Sequence, residues 1–390
     1  MSFPSPLSQP QPGAPALVPP APPAGPTPLP VAPRRAGSAA IWIIGVLAVV
    51  LVGVVGYFLT FLGAGASLIG MVLALIPLVV VLAVVRVIDR WEPEPLRLLV
   101  LAFVWGAVAA VALTLLVDTG LRVVLDPQPS GAQDVLSGIV QAPIVEELAK
   151  GLGLLIILAT GRRAFDGPVD GVVYGAMIGA GFAFTENIQY FAIAFIEGGL
   201  AQTSTTFFMR GILSPFAHVM FTAVTGFALG LAARRGARGA AALRPWLAGL
   251  AGAIMLHALW NGSALLGDFF ALYLTLQVPL FLGFIVGIIA LRREEARLTR
   301  ARLSDYAAAG WFTPQEVEML ATPVGRRTAL AWAKTLRGDR TDIMRAFVRD
   351  ATALAATRQR ALTGRDPRAV QDEHAYLERA AAARAALLAP

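Results

Sequence analysis

The chain contains no cysteine, which excludes disulfides, thiolate metal sites and a cysteine nucleophile. Charge is also scarce. Asp, Glu, Lys and Arg make up 15% of the 390 residues, against roughly 25% in an ordinary soluble domain. Histidine and lysine are scarcer still, at three and two residues. What is abundant is apolar: 56% of residues are hydrophobic and the mean hydropathy is +0.67. These figures exclude a single soluble globular domain and a disordered chain, and point to a polytopic membrane protein. The net charge of +7 gives no case for a nucleic-acid partner, because residues 292–390 hold 18 of the 32 basic and 12 of the 25 acidic residues.

Residues 1–38 carry 13 of the 27 prolines and read as a disordered or polyproline II arm. Apolar stretches long enough to cross a bilayer follow over 41–62, 66–85, 98–117, 135–159, 171–196, 211–233, 246–266 and 269–291. Only helices and closed barrels satisfy backbone groups in lipid. The runs are helix-length, so the fold class expected is all-α: a polytopic membrane bundle of about eight transmembrane helices over 39–291. Arginines cluster in alternate loops: Arg34 and Arg35, Arg86 to Arg97, Arg162 and Arg163, Arg234 to Arg244, and Arg292 and Arg293. The opposite loops hold only Arg122 and Arg210. The positive-inside tendency then places both termini in the cytoplasm of a multi-pass plasma-membrane protein. Residues 292–390 switch to Ala, Arg, Leu and Glu and read as a basic, cytoplasmic helical tail. It has breaks at Thr313-Pro314 and Thr322-Pro323, with Trp311, Phe312 and Trp332 expected inside it. Its positive charge suits contact with an anionic leaflet.

The eight spans contain only four formal charges, Glu146, Glu147, Lys150 and Glu186, and two of the three histidines, His218 and His257. A charge at the bilayer centre costs about 2.5–3.5 kcal/mol on insertion scales, so such residues face a bundle interior and carry function. At 1.5 Å per residue, Glu146, Glu186, His257 and Asn261 lie roughly 16, 15, 14 and 8 Å from the outer ends of their spans, and His218 roughly 10 Å. Four helices of alternating direction thus place polar groups in one slab. Glu146 and Lys150 share a helix face and can pair, with Glu147 turned about 100° away. His257 and Asn261 repeat the four-residue spacing. Gly171, Gly175 and Gly179, and then Gly226 and Gly230, let neighbouring helices approach closely. Pro215 can open the helix before His218.

These residues resemble a known family. Glu146-Glu147-Leu148-Ala149-Lys150 looks like the EExxK motif of the PrsW family of intramembrane proteases, and Phe182 to Asn187 looks like its FxxxEN element. His218 and the segment His257 to Asn261 are similar to its two later histidine motifs. Asp89 to Pro95 is similar to a signature before the third span. The resemblance covers roughly residues 85–265. It extends more distantly to the CAAX-prenyl proteases, whose EExxxR and FxxxH are replaced here by EExxK and FxxxE, so the second motif offers a carboxylate in place of an imidazole.

The resemblance and the residue chemistry together make Glu146 the base that activates water, since peptide hydrolysis needs a nucleophilic water and a stabilised oxyanion. Two arrangements of the remaining groups stay open. His218 and His257 can ligate zinc with Glu186 or Glu147 as the third ligand and one position left for water. Without metal, His218 orients the water while His257 and Asn261 form the oxyanion hole. Lys150 and Asn187 are supporting residues, Lys150 neutralising Glu146 or Glu147. Asp89 to Pro95 reads as a rigid turn, and Asp166 and Asp170 as favourable charges at a helix N-terminus. The expected activity is that of an intramembrane endopeptidase. Its substrate by resemblance is a single-pass membrane protein of the anti-sigma-factor kind, cut near the extracytoplasmic side. Buried Glu and His also serve proton- or metal-coupled transporters, but no internal repeat of the transporter kind is visible. Neither the substrate's identity nor the oligomeric state is legible in the sequence.

Overall fold

The computed structural model describes residues 38–125, 130–237, 239–265, 268–364 and 368–389. The proline-rich arm, Arg34 and Arg35, Arg238 and residues 365–367 lie outside the described residues. Every regular element among the described residues is helical. Two compact units form, one built from Ile44–Arg292 and the other chiefly from Arg293–Pro390.

The first unit begins with α1 (Ser38–Phe61) and α2 (Ala64–Ile88). A turn leads into α3 (Leu96–Val104), which continues through a π-helical stretch, Trp105–Ala110, into α4 (Val111–Leu125). Next come α5 (Gly131–Leu136), the π-helical turn Ser137–Gln141 and α6 (Ala142–Thr160). After them follow α7 (Pro168–Phe207), a third π-helical stretch (Phe208–Leu213), α8 (Ala217–Arg234) and α9 (Ala240–Leu265). The short α10 (Phe269–Leu272) and a last π-helical turn (Tyr273–Gln277) lead into α11 (Val278–Ala308).

Among the described residues, five helical stretches are long and apolar enough to cross a membrane: Ala64–Ile88, Leu96–Leu125, Pro168–Arg234, Ala240–Leu265 and Phe269–Ala308. Gly45–Phe61 is a shorter apolar helix. Eight spans were expected, and the difference has a physical origin. The stretch Pro168–Arg234 contains two of the expected spans. It is broken at Gly198 and Gly199, where Gly199 takes φ 59°, a conformation that favours glycine. It is broken again at Ser214 to Phe216, where Pro215 separates the third π-helical stretch from α8. The expected fourth span is α6 with its approach, and it carries Glu146, Glu147 and Lys150.

Helix α7 is the hub of this unit. In an 18-residue apolar window of Pro168–Arg234, 72% is buried, against 6% in that of the last apolar stretch, Phe269–Ala308. The reason is glycine on several faces of α7. A Cβ on Gly175 would lie 2.6 Å from the Thr222 carbonyl oxygen, and one on Gly179 would lie 2.5 Å from that of His218. Gly171 and Gly226 sit against each other's carbonyls, and Gly181 abuts the Phe103 carbonyl on α3. Between apolar helices in lipid, close backbone packing of this kind is the main source of association. Its consequence is positional: the α7–α8 glycine seam brings the start of α8, and His218 with it, against the middle of α7.

The second unit holds α12 (Pro314–Leu320), α13 (Pro323–Thr335), α14 (Thr341–Leu362) and α15 (Ala369–Leu388), with the end of α11. Its core contains Leu303, Tyr306, Phe312, Leu320, Phe347 and Leu377. The expected breaks are helix starts: Thr313 and Thr322 cap α12 and α13 with their side chains, each followed by proline. Phe312 is buried, as expected. Trp332 is not; it is 42% exposed. On amphipathic α13 the small Ala329 and Ala333 take the inward face instead.

Candidate active site

Helix α6 is fixed by two indoles. Trp105 Nε1 donates to the Ala149 carbonyl (3.0 Å) and Trp246 Nε1 to that of Gly151 (2.9 Å). On this helix Glu146, Glu147 and Lys150 are all buried, Lys150 completely. Lys150 Nζ donates to Glu147 Oε1 (2.8 Å), Glu146 Oε2 (3.2 Å) and His218 Nδ1 (3.0 Å), and lies 3.9 Å from the centre of the Phe182 ring. The lysine therefore binds both glutamates. Its long stem reaches the neighbour three residues back as well as the one four back, although the two carboxylates point in different directions.

Each histidine is held from behind by a carboxylate. His257 Nδ1 lies 3.1 Å from Glu147 Oε1, and His218 Nε2 lies 2.8 Å from Glu186 Oε2. A carboxylate only accepts hydrogen bonds, so the facing ring nitrogens carry the protons and the other nitrogens keep their lone pairs. Those other nitrogens, His218 Nδ1 and His257 Nε2, lie 3.9 and 4.0 Å from Glu146 Oε2, and the His218 Nδ1 lone pair accepts from Lys150 Nζ (3.0 Å). Phe221 stacks on the His257 ring with centroids 4.8 Å apart, and the two imidazoles meet edge to face at 5.0 Å. Thr222 Oγ1 donates to Glu147 Oε2 (3.1 Å), which completes the setting of the carboxylate that holds His257.

Glu146, His218 and His257 each offer one ligand atom, and these atoms lie within 4.8 Å of one another, all buried. The expected third ligand was Glu186 or Glu147. Both are occupied behind the histidines, and Glu146 is the carboxylate grouped with the two remaining ring nitrogens. The donor set suits a metal: two imidazoles and a carboxylate, with outer carboxylates fixing both rings. Bonds of 2.0–2.1 Å imply ligand spacings of about 3.4 Å; the two histidine–Glu146 distances exceed this by about half an ångström, and the set as a whole, within 4.8 Å, by up to about 1.4 Å. Three carboxylates here face two cations, Lys150 and Arg210, and the excess negative charge favours a cation among them.

Arg210 is the residue that sequence reasoning missed. It falls one position before the expected sixth span and was counted as a loop charge. It instead donates from Nη2 to Glu186, from Nε to Asn187 Oδ1 (2.8 Å), and lies 3.9 Å over the Tyr190 ring. Its one signal was context: a lone arginine within Phe207-Phe208-Met209-Arg210-Gly211-Ile212 on the side expected to be poor in arginine. Asn187 thus serves Arg210. Asn261 lines the cavity beside His257, but its amide donates to the Gly138 carbonyl in the π-helical turn (2.8 Å) rather than pointing at the histidines.

Two cavities meet at the cluster. The smaller, about 120 Å³, is lined by Arg210, Ser214, His218, His257 and Asn261 with Glu146 and Glu186. The larger, about 350 Å³, runs along α4, α6 and α7 and reaches the same two glutamates.

Away from the cluster, Asp89 Oδ1 accepts from the Glu94 amide (3.0 Å), which fixes the turn into α3 as expected. Glu94 accepts from Tyr174 on α7. Burial pushes the Asp89 carboxyl up to about 6. Burial, and then the charge of Asp170, hold the Glu94 carboxyl well above the usual range. Asp170 accepts from the amides of Asp166 (2.8 Å) and Gly167 (2.6 Å), an N-terminal cap of α7.

Helices apolar enough to cross a membrane and a buried glutamate–histidine–lysine centre packed among them together define a helical membrane protein with a polar site. Residues 94–286 match the family model described as PrsW family intramembrane metalloprotease, and the chain belongs to that family. Among curated proteins, it is 27% identical over 144 residues to Protease PrsW of Geobacillus kaustophilus, covering 37% of this chain and 58% of that one. It is 28% identical to Protease PrsW of Bacillus subtilis over 144 residues, 37% of this chain and 60% of that protein. It is 30% identical to Protease PrsW of Clostridioides difficile over 155 residues, 40% and 62% of the two chains. The matched segment therefore spans about three fifths of these relatives' length. No solved structure matches the chain significantly.

Proposed function

We propose that the chain is an intramembrane endopeptidase that hydrolyses a peptide bond of a single-pass membrane protein, near the extracytoplasmic side. The observation that carries this reading is the grouping of His218, His257 and Glu146 around one point, each ring held from behind by its own carboxylate. Nothing in helix packing requires two oriented imidazoles grouped with a third buried glutamate. Such an arrangement is what activation of a water demands.

Glu146, His218 Nδ1 and His257 Nε2 would hold zinc, with Lys150 Nζ giving up its hydrogen bond to His218 Nδ1 and keeping those to the glutamates. Bound there, zinc lowers the pKa of a coordinated water and polarises the substrate carbonyl. The chain's own groups do the rest. Glu146 Oε2 faces Lys150 and the histidines, while Oε1 takes no hydrogen bond among the described residues. Oε1 is the atom that receives the water's proton. Glu147 and Glu186 keep the two rings in one tautomer and one orientation. Lys150 offsets the charge of Glu146 and Glu147, and Arg210 holds Glu186 in place. The smaller cavity supplies the water: at about 120 Å³ it has room for roughly four molecules at about 30 Å³ each.

In this reading the chain crosses the membrane eight times over 39–291. Both termini are cytoplasmic, and the helical unit of 292–390 and the proline-rich arm 1–38 lie on that side. The family resemblance suggests an anti-sigma-factor-like substrate. The test is cleavage of a tagged single-pass membrane protein of that kind, co-reconstituted with the full chain in proteoliposomes. Glu146→Gln is expected to lower the cleavage rate by about 10²–10⁴-fold while the variant remains folded. Equal cleavage by wild type and variant, or none by either, refutes the reading.

A further inference from the structure

Three helix faces form the walls of the larger cavity. Val111, Thr114, Leu115 and Asp118 lie along one face of α4; Glu186, Gln189, Tyr190 and Ile193 repeat the same three- and four-residue steps on α7. Ser137, Gln141, Ala142 and Glu146 line it from the α6 side. We infer that this groove binds the substrate as an unwound, extended strand, with the Gln189 amide as its main-chain partner; the inference rests on the protease reading above.

Size separates the two cavities. The groove's volume of about 350 Å³ falls within the roughly 300–1,000 Å³ of ligand pockets, and the smaller cavity's does not. Length agrees. From Glu186 to Ile193 the α7 wall rises about 10 Å, which is about three residues of extended chain. The groove ends on Glu146 and Glu186, which also border the smaller cavity. A strand lying in the groove thus brings its backbone to the glutamate that accepts the water's proton, with the water arriving from the other side.

The chemistry of the lining points to a peptide backbone. An unwound segment inside a membrane must satisfy every N–H and C=O it exposes. The groove offers neutral groups that both donate and accept, Thr114, Gln189 and Tyr190 among them. Gln189 makes no hydrogen bond among the described residues, and its amide presents one donor side and one acceptor side, as a neighbouring strand would. Thr114 donates its hydroxyl hydrogen to the Ala110 carbonyl (3.0 Å) and keeps its lone pairs for an incoming N–H. Charge lies at the two ends: Glu146 and Glu186 at one, and at the other Asp118, which accepts from Gln141 (3.2 Å) and Arg122 (2.9 Å). That clasp joins α4 to the approach of α6 and closes the groove at its mouth.

The absence of cysteine makes the test clean. Gln189→Cys, Thr114→Cys and, as the control in the smaller cavity, Ser214→Cys are each made in the full chain carrying Glu146→Gln and reconstituted in liposomes. The probe is a synthetic single-span Leu/Ala peptide with a central Gly-Gly and one adjacent cysteine. Mild oxidation is expected to cross-link it to Gln189→Cys and Thr114→Cys severalfold more than to Ser214→Cys. In the otherwise wild-type chain, Gln189→Leu is expected to raise KM about three- to tenfold with kcat retained, the size of one hydrogen-bond pair. Cross-linking chiefly to Ser214→Cys, or to none of the three, overturns the groove. Cleavage of the same peptide by the wild-type chain is read in parallel. Groove cross-links without cleavage count against the protease reading and leave the groove standing, and cleavage with cross-links only at Ser214→Cys does the reverse.

Discussion

Lys150→Met gives the sharpest test of how the centre is held together. Lys150 is fully buried and contacts Glu147 at 2.8 Å and Glu146 at 3.2 Å. At an effective dielectric constant near 20, each contact is worth about 5–6 kcal/mol of Coulomb attraction before desolvation is subtracted. What a variant loses is the net penalty of leaving carboxylates buried without a partner, about 3–5 kcal/mol for a broken buried pair. Lys150→Met fills the same space and removes only the charge. Its midpoint of SDS-induced unfolding in bicelles should correspond to a loss of that size. The double variant Lys150→Met/Glu147→Gln should recover much of the loss, since removing both partners costs far less than removing one. The cycle should show a coupling of about 1–3 kcal/mol. A single variant as stable as wild type would refute the ion-pair account. So would a double variant in which the two losses simply add.

Further outcomes follow from the same geometry. Arg210→Leu releases Glu186, and through it His218, so kcat should fall about 10–100-fold, as for other groups that orient a histidine, with KM nearly unchanged. Arg210→Lys should restore part of the rate; wild-type kcat in Arg210→Leu would show that Arg210 does not position Glu186. Asp89 has a folded pKa raised to about 6, above its unfolded value near 3.9. The folded state therefore holds that proton more tightly, and stability falls as pH rises through the window from about 4 to 6. Asp89→Asn keeps the acceptor for the Glu94 amide and removes the charge. Its Tm should exceed that of wild type near pH 7.5 and converge with it near pH 4; an equal difference at both would contradict the assignment.

Much of the centre can be read from the sequence because scarcity makes the few polar residues conspicuous. With only four charges and two histidines in the expected spans, helix rise alone puts Glu146, Glu186, His218 and His257 at one depth, and the structure brings these four together. Periodicity also shows the glycine seam, and Thr313 and Thr322 mark helix starts. Other features depend on information that composition does not carry. The π-helical turn at Ser137–Gln141 presents the Gly138 carbonyl that draws Asn261 away from the histidines. Which carboxylate meets which ring depends on side-chain reach, so Glu186 pairs with His218 Nε2 while Glu146 is grouped with the two remaining ring nitrogens. Arg210 is hidden because helix breaks at Gly198 and Gly199 fold a segment expected to be a loop back over α7. The number of helices apolar enough to span differs for related reasons. The functional charges that mark α6 also lower its hydropathy, and breaks within one long helical stretch blur two spans into one.

The most direct test of the central claim is to measure zinc content and cleavage on the same reconstituted sample, for wild type and for His257→Ala. The account predicts one zinc per chain in the active wild type, and loss of metal and cleavage together in the variant. Cleavage at the wild-type rate in metal-free protein, or in His257→Ala, would contradict it.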